Sequence, residues 1–252
     1  MTDDLLISLR ILLISGSAEE RDLLRSGAAT AFVPVELVEA EGSAAARAEI
    51  AADAIDIVFA DASIPAAERA AFIAQARSME QKPFVLLMAA TVEEARVFAD
   101  EGADSVVMKP ANADQAKALI ERCARLLLPN RVLVVDDSLT MRSIVRKILV
   151  ASRFRLDLAE AQEGVDALRQ IASGKFDLVF LDYNMPGLDG VETLSEIKRQ
   201  CPDLHVVIMT SIADEGIAER ARRAGATAFL KKPFYPADID TILHRIFGLQ
   251  AL

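Results

Sequence analysis

The chain has 252 residues, 52% of them apolar and 26% charged, with a formal net charge of −10. This composition supports a buried core and excludes global disorder, and the length fits one large domain or two of roughly 100–150 residues. No apolar run approaches the roughly 18–20 residues of a membrane-spanning helix, the opening MTDDLLISLR lacks the basic start of a secretory signal, and no basic footprint suits nucleic acid, so a cytoplasmic protein with neither membrane nor nucleic acid as partner is expected.

In chain order, short aliphatic runs fall near 10–15, 33–39, 56–61, 84–88 and 104–108, then again near 131–136, 154–159, 177–182, 204–210 and 226–230. Near-continuous apolar runs separated by amphipathic stretches indicate a parallel sheet covered on both faces by helices. Two apolar stripes mark helices of the second half: Ile144, Val145, Ile148 and Leu149, then Val165, Leu168 and Ile171. The two halves are copies. RILLISGS (10–17) returns as RVLVVDDS (131–138) and DIVFADASIP (56–65) as DLVFLDYNMP (177–186), both at an offset of 121; EGADSVVMKP (101–110) returns as AGATAFLKKP (224–233) at an offset of 123. Such a repeat means one structural unit used twice. The expected fold is α/β: two doubly wound (βα)5 domains of flavodoxin-like type, each with sheet order 2-1-3-4-5, at 1–128 and 131–252.

The join is short. Pro129 and Asn130 stop the last helix of the first copy near Leu128, and Val132 already begins the next strand, so a restricted mutual orientation is expected. Residues 1–129 hold 12 basic against 21 acidic residues, a balance of −9; the remainder hold 16 against 17, a balance of −1. Cys123 and Cys201 are too few and too far apart for a metal site or a disulfide framework. Neither His205 nor His244 belongs to a ligand pattern.

In open α/β sheets, polar sites gather at the carboxyl ends of strands near the reversal of strand order. In the second copy Asp136 and Asp137 end the first strand and Asp182 the third, and these strands are neighbours in a 2-1-3-4-5 sheet. Three ionised carboxylates in one pocket repel unless a cation joins them, and hard oxygen ligands suit Mg²⁺. Thr210 ends the fourth strand, and Lys232 follows the fifth. A carboxylate nucleophile, a divalent cation, a hydroxyl and an ammonium are what phosphoryl transfer to a carboxylate requires.

VLVVDDS, LDYNMPGLDG, VIMTS and LKKPF within 132–234 closely resemble the receiver domain of two-component response regulators, and DDSLTMR resembles the chemotaxis type. The resemblance covers the second half and, more loosely, the first. It implies that Asp182 accepts phosphate from a histidine kinase or phosphotransfer protein. It implies Mg²⁺ held by Asp137, Asp182 and the backbone carbonyl of Asn184, with Asp136 helping. Lys232 would pair with the phosphoryl oxygens. Thr210 and the switch aromatic Phe229 would move together on phosphorylation and change the preference for a downstream protein partner. Ile212, two residues past Thr210, is apolar at a position that influences water access in this family, so slow dephosphorylation is expected. The chain ends at Leu252, just past the last helix, so no effector domain is expected, and no catalysis beyond its own phosphoryl transfer and dephosphorylation.

The first copy keeps Asp61 and Lys109 but has Ser15 and Gly16 in place of the acid pair, Ala89 in place of Thr210 and Val106 in place of Phe229. One carboxylate and a hydroxyl make a poor Mg²⁺ site. This copy is expected to be an unphosphorylated pseudo-receiver that docks a partner, holds a homodimer together or restrains the second copy. Two other readings compete. A phosphohydrolase with an Asp nucleophile would carry a DxDx[TV] pattern after its first strand, where this chain has DDSLT. A constitutive scaffold would leave the complete second site unexplained.

Overall fold

The alternation of aliphatic runs and amphipathic stretches yields the same βα arrangement twice in the computed structural model, which describes residues 8–52, 54–211 and 215–247. The chain divides into two compact units, with main bodies at 1–127 and Leu128–Ile246. In the N-terminal unit, β1 (Leu9–Ile14), α1 (Ala18–Ala29), β2 (Val35–Ala40), α2 (Ser43–Ala52), β3 (Ile57–Asp61) and α3 (Ala66–Ser78) are followed by β4 (Phe84–Ala89), α4 (Val92–Phe98), β5 (Ser105–Met108) and α5 (Ala113–Leu127). The C-terminal unit repeats the pattern with β6 (Asn130–Val135), α6 (Leu139–Val150), β7 (Leu156–Ala161), α7 (Gly164–Ser173) and β8 (Leu178–Asp182). It continues with α8 (Gly190–Gln200), β9 (His205–Thr210), α9 (Glu215–Arg223), β10 (Ala228–Lys231) and α10 (Pro236–Ile246).

Both sheets are parallel, ordered β2-β1-β3-β4-β5 and β7-β6-β8-β9-β10, so the flavodoxin-like (βα)5 fold and the 2-1-3-4-5 order hold in each unit. The central strands β3, β4 and β8 are buried along their whole length, whereas edge strands β2 (VELVEA) and β7 (LDLAEA) are half-exposed and carry acids between apolar residues. Helices on both faces explain the first pattern and a sheet edge the second. Ser17 and Ser138, at the 121-residue offset, cap α1 and α6 by accepting from the backbone N–H of Glu20 and Met141.

Three expectations need correction. β7 starts two residues later than its apolar run, because Phe154 leaves the strand path to pack edge-on against the His244 ring, 5.2 Å away, while Leu156 takes the register opposite Asn130. β6 begins at Asn130, so that residue starts the second sheet rather than only stopping a helix. The helical stripes are narrower than drawn: Val145, Leu149 and Ile171 are buried, but Ile144 and Val165 are 40% and 53% exposed, and Gly164 and Ala167 take the inner face of α7. Ile212 lies outside the described residues.

Candidate functional site

Strand register assembles the C-terminal cluster. Val135 pairs with Leu181, so the next residues, Asp136 and Asp182, stand level at the carboxyl ends of neighbouring strands. Both are buried, whereas Asp137 is exposed. Carboxylate oxygens of the three lie within 4.8 Å of one another. Lys232, just past β10, donates from Nζ to Asp136 Oδ2 at 2.7 Å and Asp182 Oδ1 at 2.9 Å. Its backbone N–H donates to the Thr210 carbonyl at 2.7 Å, which fixes where the ammonium emerges. Asp136 Oδ1 accepts from the Ser138 backbone N–H at 2.9 Å.

Three carboxylates against one ammonium leave an excess of about two negative charges if all are ionised, which suits a hard divalent cation with room for water. The donor set therefore fits Mg²⁺. Thr210 is buried at the end of β9, and Phe229 on β10 is half-buried against the core. Asn184 is exposed and its backbone N–H donates to Asp182. The chain's only two tyrosines flank this pocket in sequence: Tyr183 follows Asp182, and Tyr235, 68% exposed, lies three residues past Lys232.

The corresponding pocket of the N-terminal unit is built differently. Lys109 donates to Asp61 Oδ2 at 2.7 Å and also to Glu20 Oε2 at 2.9 Å. Glu20 is a buried residue in the first turn of α1, and its repeat counterpart is Met141. The expectation of a single carboxylate here is therefore incomplete: a second one reaches in from the helix. Ser15 Oγ lies 2.9 Å from Glu20 Oε2 and 3.2 Å from Asp61 Oδ2, and its one hydrogen serves either. Ser63, the counterpart of Asn184, donates to Asp61 Oδ1 from its backbone N–H at 2.9 Å and from its hydroxyl.

These environments drive the two aspartates in opposite directions. Burial disfavours the charge of Asp61, but hydrogen bonds from Lys109 and from the Ser63 side chain and backbone outweigh it and hold the pKa below 3.8. For Asp182, burial dominates; the neighbouring charge of Asp136 adds to it, Lys232 offsets only part, and the pKa is raised. Both lysines are held above the ordinary lysine value: burial opposes their charge, and the paired carboxylates overcome it. The linkage signs follow. Ionised Asp61 stabilises its unit above pH ~4, and that stabilisation is lost as pH falls through the depressed pKa. Asp182 favours its folded unit only when protonated, and that contribution is gone once pH has risen through the raised pKa. At neutral pH without a divalent cation, Asp61→Asn is expected to weaken the N-terminal unit by about 1–3 kcal/mol. Under the same conditions Asp182→Asn is expected to strengthen the C-terminal unit, the opposite sign. Hydrogen exchange resolved by peptide reads each unit separately, and equal signs for the two variants would contradict the contrast.

Among the described residues no helix is long and apolar enough to cross a membrane. Neither cysteine is bonded; Cys123 is buried and its thiol is pushed up to about 12 by burial.

Residues 132–244 match the family model described as the response regulator receiver domain. The chain is 35% identical over 104 residues to the chemotaxis protein CheY of Listeria monocytogenes, spanning 87% of that protein and 41% of this chain. It is 29% identical over 147 residues to the cyclic di-GMP phosphodiesterase response regulator RpfG of Xanthomonas campestris, spanning 39% of that protein and 58% of this chain. A solved structure described as "probable two-component system response regulator/GGDEF domain protein" matches across 95% of this chain and 98% of its own, with a TM-score of 0.50 at 20% identity, a likeness of fold. The motifs at the ends of β6, β8, β9 and β10, and the CheY likeness over most of a receiver's length, lead to one conclusion: the chain belongs to the response regulator receiver family of two-component signalling.

Proposed function

We propose that Asp182 is the phosphoacceptor of this chain, and that a histidine kinase or phosphotransfer protein supplies the phosphoryl group. One observation carries the reading: Asp182 is a buried carboxylate with two donors among the described residues, Lys232 and the Asn184 N–H, set in a cluster whose acids outnumber its ammonium. Lone pairs remain for attack, and the local charge calls for a cation. Transfer forms a bond from a carboxylate oxygen of Asp182 to phosphorus as the donor's phosphorus–nitrogen bond breaks, and the freed imidazole takes a proton. A bound Mg²⁺ would supply charge stabilisation for the transferred group. Asp136, Asp137, Asp182 and the carbonyl of Asn184 would hold it. Lys232 stands where it can pair with the phosphoryl oxygens. Thr210 and Phe229, on adjacent strands, form the readout, because a phosphoryl group adds about −1.5 to −2 charges and three acceptor oxygens beside them.

In this reading the chain comprises a pseudo-receiver at 1–128 and a phosphoacceptor domain at 131–252. Asp61 is engaged by Lys109 and Ser63 and within reach of Ser15, so few lone pairs remain free, and the N-terminal unit serves protein contacts or regulation. The test is Mg²⁺-dependent labelling of the full chain with a small acyl phosphate. Wild type and Asp61→Asn are expected to take up one phosphoryl group each, and Asp182→Asn none. Uptake that survives in Asp182→Asn, or vanishes in Asp61→Asn, would sink the assignment.

A further inference from the structure

Arg142 is a charged residue that the proposed chemistry leaves unused, yet it is only 4% exposed. From α6 its Nη1 donates to the backbone carbonyl of Asp136 at 2.7 Å and lies 3.5 Å from that of Asp137. Its Nε donates to Glu160 Oε2 on β7 at 3.1 Å. Glu160 is held in turn: Gln170 of α7 donates to its carbonyl at 2.9 Å, and Arg146 lies 3.6 Å from its other carboxylate oxygen. Among the described residues, none of Arg142's hydrogen bonds reaches a pocket carboxylate. A buried guanidinium is thus clamped between helix, strand end and edge strand, and it grips the peptides that carry the first two acids.

The N-terminal unit has the same brace 121 residues earlier. Arg21 Nη1 donates to the Ser15 carbonyl at 2.6 Å, and its Nε lies 3.4 Å from Glu39 Oε2. There the braced residue, Ser15, carries no carboxylate, and Gly16 follows it. The brace is thus common to both units, and only in the C-terminal unit does it bear on metal ligands.

We propose that Arg142 is a positioning residue for the divalent cation: by holding the Asp136 and Asp137 carbonyls on the helix side, it presets both carboxylates toward the pocket without touching the cation or the phosphoryl group. This rests on the reading of the pocket as a Mg²⁺ site. Ligands held by a fixed frame lose less freedom on metal binding, and removing such outer partners typically weakens metal affinity about 10–100-fold.

The test is calorimetric titration of the full chain with MgCl₂, alongside hydrogen exchange in β8 and β9 as a check on folding. Arg142→Met is expected to raise the Mg²⁺ Kd about tenfold with protection of those strands retained. Arg142→Lys, which keeps a donor within reach of the Asp136 carbonyl, is expected to recover part of the loss. Arg21→Met, which removes the same brace from the other unit, is expected to leave the Kd unchanged. A folded Arg142→Met that binds Mg²⁺ as wild type does overturns the proposal, as does a Lys variant no better than Met. If Arg142→Met fails to fold, Glu160→Gln decides. It keeps the guanidinium but loosens its anchor, and an unchanged Kd there also overturns the proposal. Wild type that binds no Mg²⁺ would remove the parent reading as well, which separates the two failures.

Discussion

Replacing Lys109 by Met is expected to cost the N-terminal unit about 3 kcal/mol, a large share of the ~5–15 kcal/mol that holds a domain together. The cause is an uncompensated pair of buried acids. Asp61 and Glu20 are 3% and 6% exposed, and the Lys109 ammonium donates to both. Without it, two carboxylates either stay charged in a poorly solvated pocket or take up protons. Neutralising them should therefore repair most of the damage: Lys109→Met combined with Glu20→Gln and Asp61→Asn is expected to regain most of the lost stability. Lys232→Met makes the informative comparison. It leaves Asp136, Asp137 and Asp182 together, and added Mg²⁺ is expected to restore that unit, whereas Mg²⁺ is expected to leave Lys109→Met unrescued. Urea titration followed by hydrogen exchange in each unit checks both, and Mg²⁺ rescue of the N-terminal unit would show that its pocket is also a metal site.

Gly190→Ala is expected to damage both fold and chemistry in the C-terminal unit. A Cβ at this position would sit 2.5 Å from the Asp182 carbonyl oxygen and 2.7 Å from the Tyr183 Cα. Both are backbone atoms and neither can rotate away. The Gly190 N–H also donates to the Tyr183 carbonyl at 2.9 Å, and the capping box of Asp189 and Glu192 fixes the first turn of α8. Relief then requires the helix or the Asp182–Tyr183 peptide to move. Overpacking of this kind costs about 1–3 kcal/mol or more, and with Asp182 as the proposed acceptor, displacing it by about 1 Å is expected to lower the rate about 10²-fold. Urea midpoints and the rate of phosphoryl uptake measure the two effects. Gly187→Ala is the control. Its φ is +81° but nothing lies within 4 Å of the added carbon, so strain of about 1–2 kcal/mol is expected with little change at Asp182. Equal effects of the two substitutions would argue against the close packing of α8. The repeat sharpens the point: the counterpart of Gly190 is Arg69, whose buried side chain fits because α3 starts at Ala66, directly after Pro65.

Much of this was legible in the sequence because the residues concerned sit at strand ends, where chain position fixes spatial position. Asp136, Asp182, Thr210 and Lys232 each follow or close an aliphatic run, so naming the strands and their order sufficed to bring them together. Glu20 escaped because it enters the pocket sideways from the first turn of a helix. Its signal was the exchange of a half-buried apolar Met141 for an acid at the same repeat position. Arg142 escaped for a related reason: an arginine after a capping serine reads as surface charge until its carbonyl partners are seen. Ile144 and Val165 show the opposite error, since an apolar residue at the margin of a stripe still faces solvent when its neighbours take the inner face, Arg142, Val145 and Leu149 in α6 and Gly164, Ala167 and Ile171 in α7.

The placement of the tyrosines has a practical consequence. With no tryptophan in the chain and no tyrosine in the N-terminal unit, its tyrosine emission comes from Tyr183, next to Asp182 in sequence, and Tyr235, three residues past Lys232. The native protein thus carries its own optical reporter of events at Asp182, against an N-terminal unit that is silent at the same wavelengths.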